Sequence, residues 1–105
     1  MLDKELWQVT LNLTKGHRWV RLFLGKPDIQ DVQEALQDDL KTAWNKHSGE
    51  EGKIARKMLY FKFENLQKLL EDNGLPTGEI TICTYAGVQV GEIHLQQKET
   101  VKCHI

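Results

Sequence analysis

Two segments near the beginning of the sequence alternate between apolar and other side chains, with a glycine between them. In residues 5–13 the large apolar side chains recur at every second position, as Trp7, Val9, Leu11 and Leu13. Residues 18–24 repeat this period of two, which is typical of half-buried β-strands. The connecting residues 14–17 contain Gly16, which accepts positive φ at little cost, so the pattern predicts a β-hairpin.

The length of this turn decides which side of the second strand packs with the first. If Lys15 and Gly16 form a two-residue turn, the apolar sides coincide in the pairs Leu11 with Val20, Val9 with Leu22 and Trp7 with Leu24. A slip of one residue turns every side chain of a strand to the opposite face, so this coincidence favours the two-residue turn. The resulting register places Trp19, Arg21 and Phe23 on the other face of the hairpin.

The middle of the sequence has the spacing of an amphipathic helix. Asp28 follows the break at residues 25–27 and is a suitable N-cap for a helix over about 28–46. The apolar residues of this helix form one stripe, namely Ile29, Val32, Leu36, Leu40 and Ala43. Residues 47–52 then predict a loop, since they are charged and rich in glycine.

Residues 53–74 fit two interpretations. As one long helix they present a broad apolar arc, and Ser48 with Glu51 would form its capping box. As a strand followed by a short helix, residues 59–63 alternate on the strand and residues 64–73 form the helix. The sequence favours neither of the two.

The last third of the sequence is again typical of strands. Residues 79–85 and 88–95 flank Ala86 and Gly87, which predict a second hairpin turn. Pairing across this turn predicts a core face with Ile82 opposite Gly91, Ile80 opposite Ile93, and Leu95 beyond. A further short strand, following a turn at Lys98 and Glu99, is predicted from the alternation of Val101, Cys103 and Ile105.

Together these segments predict an α+β fold in a single domain, residues 1–105. The architecture is a two-layer sandwich, in which two helices cover one face of an antiparallel sheet of four to six strands. The order along the chain is β-hairpin, helix, helix or strand and helix, and β-hairpin. A chain of 105 residues is long enough to bury one core and too short for two.

The bulk composition narrows the compartment and the partners. The net charge is −1 and the pI is near 6.4, which disfavours nucleic acid, because DNA-binding domains are usually strongly basic. The first residues have mixed charge and no apolar stretch, so we expect no signal peptide and a cytoplasmic location. No apolar run approaches the ~20 residues that span a bilayer, so we expect no membrane partner.

The second face of the predicted sheet is the candidate functional surface. Under the registers above, it carries an unusual number of apolar groups for a face without helices, namely Trp19, Phe23, Tyr85, Val88 and Val90, with Arg21 between the first two. A contiguous exposed apolar surface usually binds a partner, and the commonest partner is a second copy. We therefore expect a protein-interaction module that forms a homodimer or docks another protein through this face.

Two alternative functions use overlapping residues. The first is a single-stranded RNA- or DNA-binding domain, in which Trp19 and Phe23 stack on bases and Arg21 contributes charge. The second is a small ligand-binding domain or enzyme with a pocket between helices and sheet, for which the candidates are Trp44, Tyr60, Tyr85 and His94. No motif in the sequence predicts a catalytic residue, a metal site or a cofactor.

Overall fold

The protein is an antiparallel sheet with two helices. The structure is a computed structural model that describes residues 2–103, with side chains from residue 5 to residue 99. Its elements are β1 (Leu2–Leu13), β2 (Arg18–Leu24), α1 (Ile29–Asn45), α2 (Lys53–Asn73), β3 (Ile80–Tyr85) and β4 (Val88–Cys103). The four strands form one sheet in the order β2–β1–β4–β3 with antiparallel neighbours, which confirms the predicted α+β class and strand number.

The two helices begin in different ways. α1 starts at a capping box, in which Asp28 Oδ1 accepts a hydrogen bond from the Asp31 backbone at 2.8 Å and Asp31 reciprocates. α2 is one helix, as the first of the two interpretations predicts, but its capping box of Ser48 and Glu51 is wrong. Its N-cap is Gly52, which makes no side-chain hydrogen bond. The preceding loop is instead held by a side chain from the first turn of α2. There Arg56 donates to the carbonyl oxygens of His47 and Gly49 at 2.8 and 3.1 Å.

The first hairpin has a register that differs by one residue from the predicted one. Leu11 pairs with Trp19 and Val9 pairs with Arg21, so the predicted pairs with Val20 and Leu22 are wrong. The turn spans three residues, since the backbone N–H of Leu13 donates to the carbonyl of His17 at 2.8 Å. Gly16 takes the positive φ of +94° that ends such a loop.

The missing feature of the predicted turn is a second residue with positive φ. A two-residue type I′ turn needs positive φ at both central positions. Among the described residues Ala86 is the one non-glycine with positive φ, so Lys15 does not have this conformation. The extra turn residue shifts the pairing by one and turns the whole of β2 over.

The second hairpin has the predicted turn but also a bulge. Ala86 and Gly87 have φ values of +50° and +81°, and Tyr85 pairs with Val88 across them. The register then shifts between Cys83 and Thr84, because β4 contains an extra residue near Gly91. Beyond this bulge the isoleucines of β3 meet new partners, Ile82 with Glu92 and Ile80 with His94, so the predicted pairs with Gly91 and Ile93 are wrong.

β4 is a single strand of 16 residues, and it pairs with β1 from Gly91 to Cys103. The predicted turn at Lys98 and Glu99 is wrong. At this place the strand continues and only its register with β1 shifts, between Leu6 and Trp7. The separate last strand is therefore part of β4 up to Cys103, and Ile105 lies outside the described residues.

Both helices cover the same face of the sheet. We call this the inner face and its reverse the open face. On the inner face, Val9, Leu11 and Ile93 are fully buried among side chains from both helices. The helical part of this core consists of Val32, Ala35, Leu36, Phe63, Leu66, Leu69 and Leu70. No Cβ would fit at Gly91, because it would lie 2.6 Å from the Asn12 carbonyl oxygen and 3.2 Å from a methyl of Leu69.

Candidate functional site: the open face of the sheet

The open face is composed of cross-strand rows that the pairing register defines. Each row runs from β2 through β1 and β4 to β3. The first row consists of Arg18, Asn12, Glu92 and Ile82, and the second consists of Val20, Thr10, His94 and Ile80. The third row consists of Leu22, Gln8 and Gln96. Leu24 and Leu6 pair beyond the third row. The side chains within one row are direct neighbours on the same face of the sheet.

Aliphatic side chains lie at both edges of this face. We call Val20, Leu22 and Leu24 the β2 flank, and Ile80 and Ile82 the β3 flank. These five side chains are between 43% and 58% exposed, although all belong to the most apolar residue types. The face of an antiparallel sheet that contacts water usually carries polar side chains. The two apolar flanks are therefore the feature of the open face that is typical of a binding surface.

A polar stripe separates the two flanks along the central strands. It consists of Gln8, Thr10 and Asn12 from β1 and of Glu92, His94 and Gln96 from β4. Thr10 is buried at its middle and accepts a hydrogen bond from Gln8 Nε2 at 3.3 Å. His94 Nε2 lies 3.1 Å from Glu92 Oε2, and this hydrogen bond lowers the pKa of the Glu92 carboxyl.

Three of the residues predicted for this face lie on the inner face instead. Trp19 is 6% exposed, and its Nε1 donates a hydrogen bond to Asp39 Oδ2 of α1 at 2.8 Å. Arg21 Nη1 donates to the other oxygen of the same carboxylate at 2.6 Å. Phe23 is half-buried and packs against the core. The expected position of Trp19, Arg21 and Phe23 on the open face is therefore wrong.

The other three predicted residues lie at the end of the second hairpin. Tyr85 pairs with Val88, and the two are 79% and 68% exposed. Val90 is also exposed and is the extra residue of the bulge. By strand alternation Tyr85 continues the side of Cys83, which is the inner side. The six predicted residues thus form a covered group under α1 and an exposed hairpin end, and the structure does not bring the two groups together on the open face.

The aromatic and histidine candidates for a ligand pocket are also separated. Trp44 and Tyr60 contact each other between the two helices, with ring centroids 6.4 Å apart. Tyr85 is at the hairpin end, and His94 is on the open face. Among the described residues, no three His, Cys, Asp or Glu side chains are grouped closely enough to hold a metal ion.

Cys83 carries a thiol that the fold encloses. Cys83 is 3% exposed on the inner face, and burial raises the pKa of its thiol. At neutral pH the thiol is therefore protonated and a poor nucleophile. This environment is that of a structural cysteine within the core.

A cleft between β2 and α1 is the concave site closest to the predicted residues. It has a volume of about 360 Å³, and its walls include Arg21, Phe23 and Lys26 on one side and Asp31, Glu34 and Asp38 on the other. Charges of both signs line it and only a few apolar groups, whereas small-molecule sites are mostly apolar. We therefore assign no ligand to this cleft.

Sequence reasoning missed two features that decide which residues form the open face. The first is Asp39, which pattern alone assigns to the charged surface of α1 and which in fact binds Trp19 and Arg21 of β2. The second is the pair of apolar flanks, which were predicted to belong to the core. The available signal was the turn at residues 14–17, whose single glycine is typical of a three-residue loop.

Comparisons of this chain with protein-family models, curated proteins and solved structures find no match. In the part of the chain that the structure describes, no helix is both long enough and apolar enough to cross a bilayer. The open face, with its flanks and polar stripe, therefore carries the functional argument on its own geometry.

Proposed function

We propose that this protein is an interaction module that forms a homodimer by packing the open faces of two copies against each other. The observation that carries the proposal is the pair of half-exposed apolar flanks on either side of a polar stripe. Neither helix covers this face, because both pack on the inner face. A second sheet at the usual separation of about 10 Å would remove the flanks from water.

The pattern of the open face is complementary to itself. Consider a two-fold axis between two open faces, parallel to the strands. It brings the β2 flank of one copy onto the β3 flank of the other, and the two polar stripes meet at the centre. Apolar groups then face apolar groups, while the hydrogen-bonding groups of the stripes disfavour a sideways slip. The net charge of −1 adds little repulsion between copies.

The size of the face predicts a weak dimer. Four strands at about 4.8 Å and seven residues at about 3.3 Å each make a face of roughly 20 by 23 Å. This is roughly 450 Å² per copy, smaller than the roughly 600–1,000 Å² per partner of stable interfaces and typical of weak ones, so we expect a Kd of about 1–100 µM. Such a dimer forms and dissociates with protein concentration.

The nucleic-acid alternative has less support than the dimer. Base stacking needs accessible aromatic rings, but Trp19 is buried and Arg21 is paired with Asp39. The apolar groups that do lie on the open face are aliphatic, and Glu92 in the polar stripe repels phosphates. The ligand-pocket alternative lacks converging polar groups, as described above.

Sedimentation equilibrium from about 0.5 µM to about 500 µM tests the dimer over the range that a small interface requires. The wild-type chain should change from monomer to dimer, and Leu22→Glu should raise Kd at least about thirtyfold, because it buries an unpaired carboxylate. Met58→Glu is the matched control, since Met58 is exposed to a similar degree, 57%, on α2. It should leave Kd unchanged.

Folding of the variants is checked separately, so that a loss of association is not a loss of structure. Leu22 is half-exposed in the monomer, and Leu22→Glu should keep the urea midpoint of the wild-type monomer. A wild-type chain that stays monomeric across the whole range would overturn the proposal. So would a dimer that Leu22→Glu leaves intact.

A further inference from the structure

The first half of α2 exposes an apolar ridge that the proposed dimer does not use. Ile54, Met58 and Phe61 are 73%, 57% and 64% exposed. Their spacing of four and three residues places them on one stripe of the helix. We call these three side chains the α2 ridge. Three large apolar groups in a row on a solvent-facing helix surface are typical of a binding surface.

The fold leaves the α2 ridge uncovered. The side of α2 that faces α1 is occupied by Tyr60 and Arg56, both of which contact the ring of Trp44. The side that faces the sheet carries Phe63, Leu66 and Leu70, all buried in the core. On a helix of 3.6 residues per turn the ridge lies on neither of these sides, so it points outward.

The charges within the length of the ridge have one sign, and the nearest carboxylates, Glu51 and Glu64, lie beyond its two ends. Residues 53–63 contain four cationic residues and no carboxylate. On the helical wheel Lys57 and Lys62 border the ridge on opposite sides, one turn from its apolar groups. Among the described residues, neither of them nor Lys53 takes part in an ion pair. The ridge therefore combines apolar contact area with unneutralised positive charge.

This charge pattern disfavours a second copy as the partner of the ridge. Two α2 helices whose ridges coincide, parallel or antiparallel, would bring lysines of both copies together along the contact. Like charges at these flanking positions disfavour association. An anionic surface is instead the complementary partner for Lys57 and Lys62. A protein groove would have to enclose a convex surface of only two turns, whereas a bilayer surface accepts such a ridge without a matching shape.

We propose that the α2 ridge docks on the surface of an anionic lipid bilayer. Ile54, Met58 and Phe61 enter the boundary between headgroups and acyl chains, and Lys57 and Lys62 reach the lipid phosphates from either side. The long lysine side chains suit this arrangement, since their methylene groups lie on apolar surface while the amines stay at the phosphates. The sequence-based expectation of no membrane partner rested on the lack of a spanning segment, which surface docking does not require.

Co-sedimentation of the 105-residue chain with vesicles tests this docking. The vesicles are phosphatidylcholine alone, or phosphatidylcholine with roughly 30% phosphatidylglycerol. The chain should bind the anionic vesicles at about 0.1 M NaCl and release them at about 0.5 M NaCl, because salt screens the lysines. Vesicles of phosphatidylcholine alone should bind at least about tenfold more weakly.

Substitutions separate the two contributions. Lys57→Gln with Lys62→Gln should weaken binding about 25-fold, since each lysine near an anionic surface contributes about fivefold. Phe61→Ser should weaken it about tenfold, because a large apolar side chain no longer enters the bilayer. Leu22→Ser on the open face and Lys41→Gln on α1 are matched controls, both at exposed residues, and should bind like wild type.

The outcomes distinguish this proposal from the dimer. Vesicle binding that Leu22→Ser reduces as much as Phe61→Ser would assign the effect to the open face and overturn the role of the ridge. No binding to anionic vesicles, or equal binding to both compositions, would also overturn it. A photo-crosslink from position 61 to an acidic protein, without vesicle binding, would overturn the proposal and show that the ridge binds a protein. The dimer constant is measured without lipid and is unaffected by each of these results.

Discussion

The central strands of the sheet have one apolar and one polar face, whereas the edge strands have apolar side chains on both faces. In central strand β1, Val9 and Leu11 on the inner face are fully buried, while the open face carries Gln8 and other polar groups. In edge strand β2, both faces are apolar: Trp19 is buried on the inner face, and Leu22 is half-exposed on the open face. Edge strand β3 is similar, since Cys83 points inward and isoleucines point outward.

This difference explains both how each strand is oriented and why aliphatic groups remain exposed at the proposed interface. A central strand with one apolar and one polar face has a single acceptable orientation, because a flip would bury its polar groups. An edge strand with two apolar faces buries similar groups in either orientation, so the neighbouring turn or bulge decides. The face that remains outside then exposes aliphatic groups. Both flanks of the proposed interface arise in this way.

The largest expected effect is a difference in the free energy of unfolding between substitutions on the inner face and on the open face. Leu11→Ala should lower the free energy of unfolding by about 2–5 kcal/mol, because it leaves a cavity in the core. Leu22→Ala should change it by no more than about 0.5 kcal/mol in the monomer, because Leu22 is 53% exposed. Urea denaturation in dilute solution measures both. Losses of equal size would contradict an uncovered open face.

The next effect tests the orientation of β2. Trp19→Phe should lower the free energy of unfolding by about 1.5–3 kcal/mol, because it removes a hydrogen bond to the carboxylate of Asp39. Val20→Ala, at the adjacent half-exposed position, should change it by no more than about 0.5 kcal/mol. The predicted two-residue turn requires the reverse order, so a more costly Val20→Ala would restore that register.

A smaller effect separates the two hairpin turns. Ala86 has a φ of +50°, which asparagine before glycine adopts more readily, so Ala86→Asn should raise the free energy of unfolding by about 0.5–1 kcal/mol. Lys15→Asn at the corresponding place of the first hairpin should give no gain, because that turn has three residues. Thermal unfolding of both variants checks this. Equal stabilisation would mean that both turns have two residues.

The smallest effect concerns pH and the first turn. Burial, together with the nearby positive charge of Lys62, lowers the pKa of His17 below its ordinary value of 6.5. The unfolded chain therefore takes up a proton at a higher pH than the folded chain. Stability should fall as the pH decreases through 6.5 towards the lower pKa of the folded state.

Urea denaturation at about pH 7.5 and pH 5.5, of wild type and of His17→Gln, measures this dependence. The wild type should lose more stability than the variant over this interval. Glu92 does not interfere, because its lowered pKa lies below its ordinary 4.5 and its contribution is complete at both pH values. An identical loss in both proteins would show that His17 is as accessible in the folded state as in the unfolded state.

Much of the fold was predictable because it depends on local signals. The start of α1 follows from Asp28, and the second turn follows from Ala86 and Gly87. The candidate site was predictable only in its general nature, an open sheet face with apolar groups. Its residues were predicted on the wrong faces. Trp19 and Phe23 were expected on the open face and lie on the inner face, whereas the flanks were expected in the core and lie on the open face.

By itself, the sequence determined the positions of the hairpins and of α1, and it determined the inward side of the central strands. These features depend on spacing, caps and the contrast between apolar and polar residues. Only the tertiary structure decided which side of β2 and β3 meets the helices. Alternation has the same period in both orientations, so one extra residue in a turn or a bulge reverses a strand. The contact of Trp19 and Arg21 with Asp39 then holds β2 in that orientation.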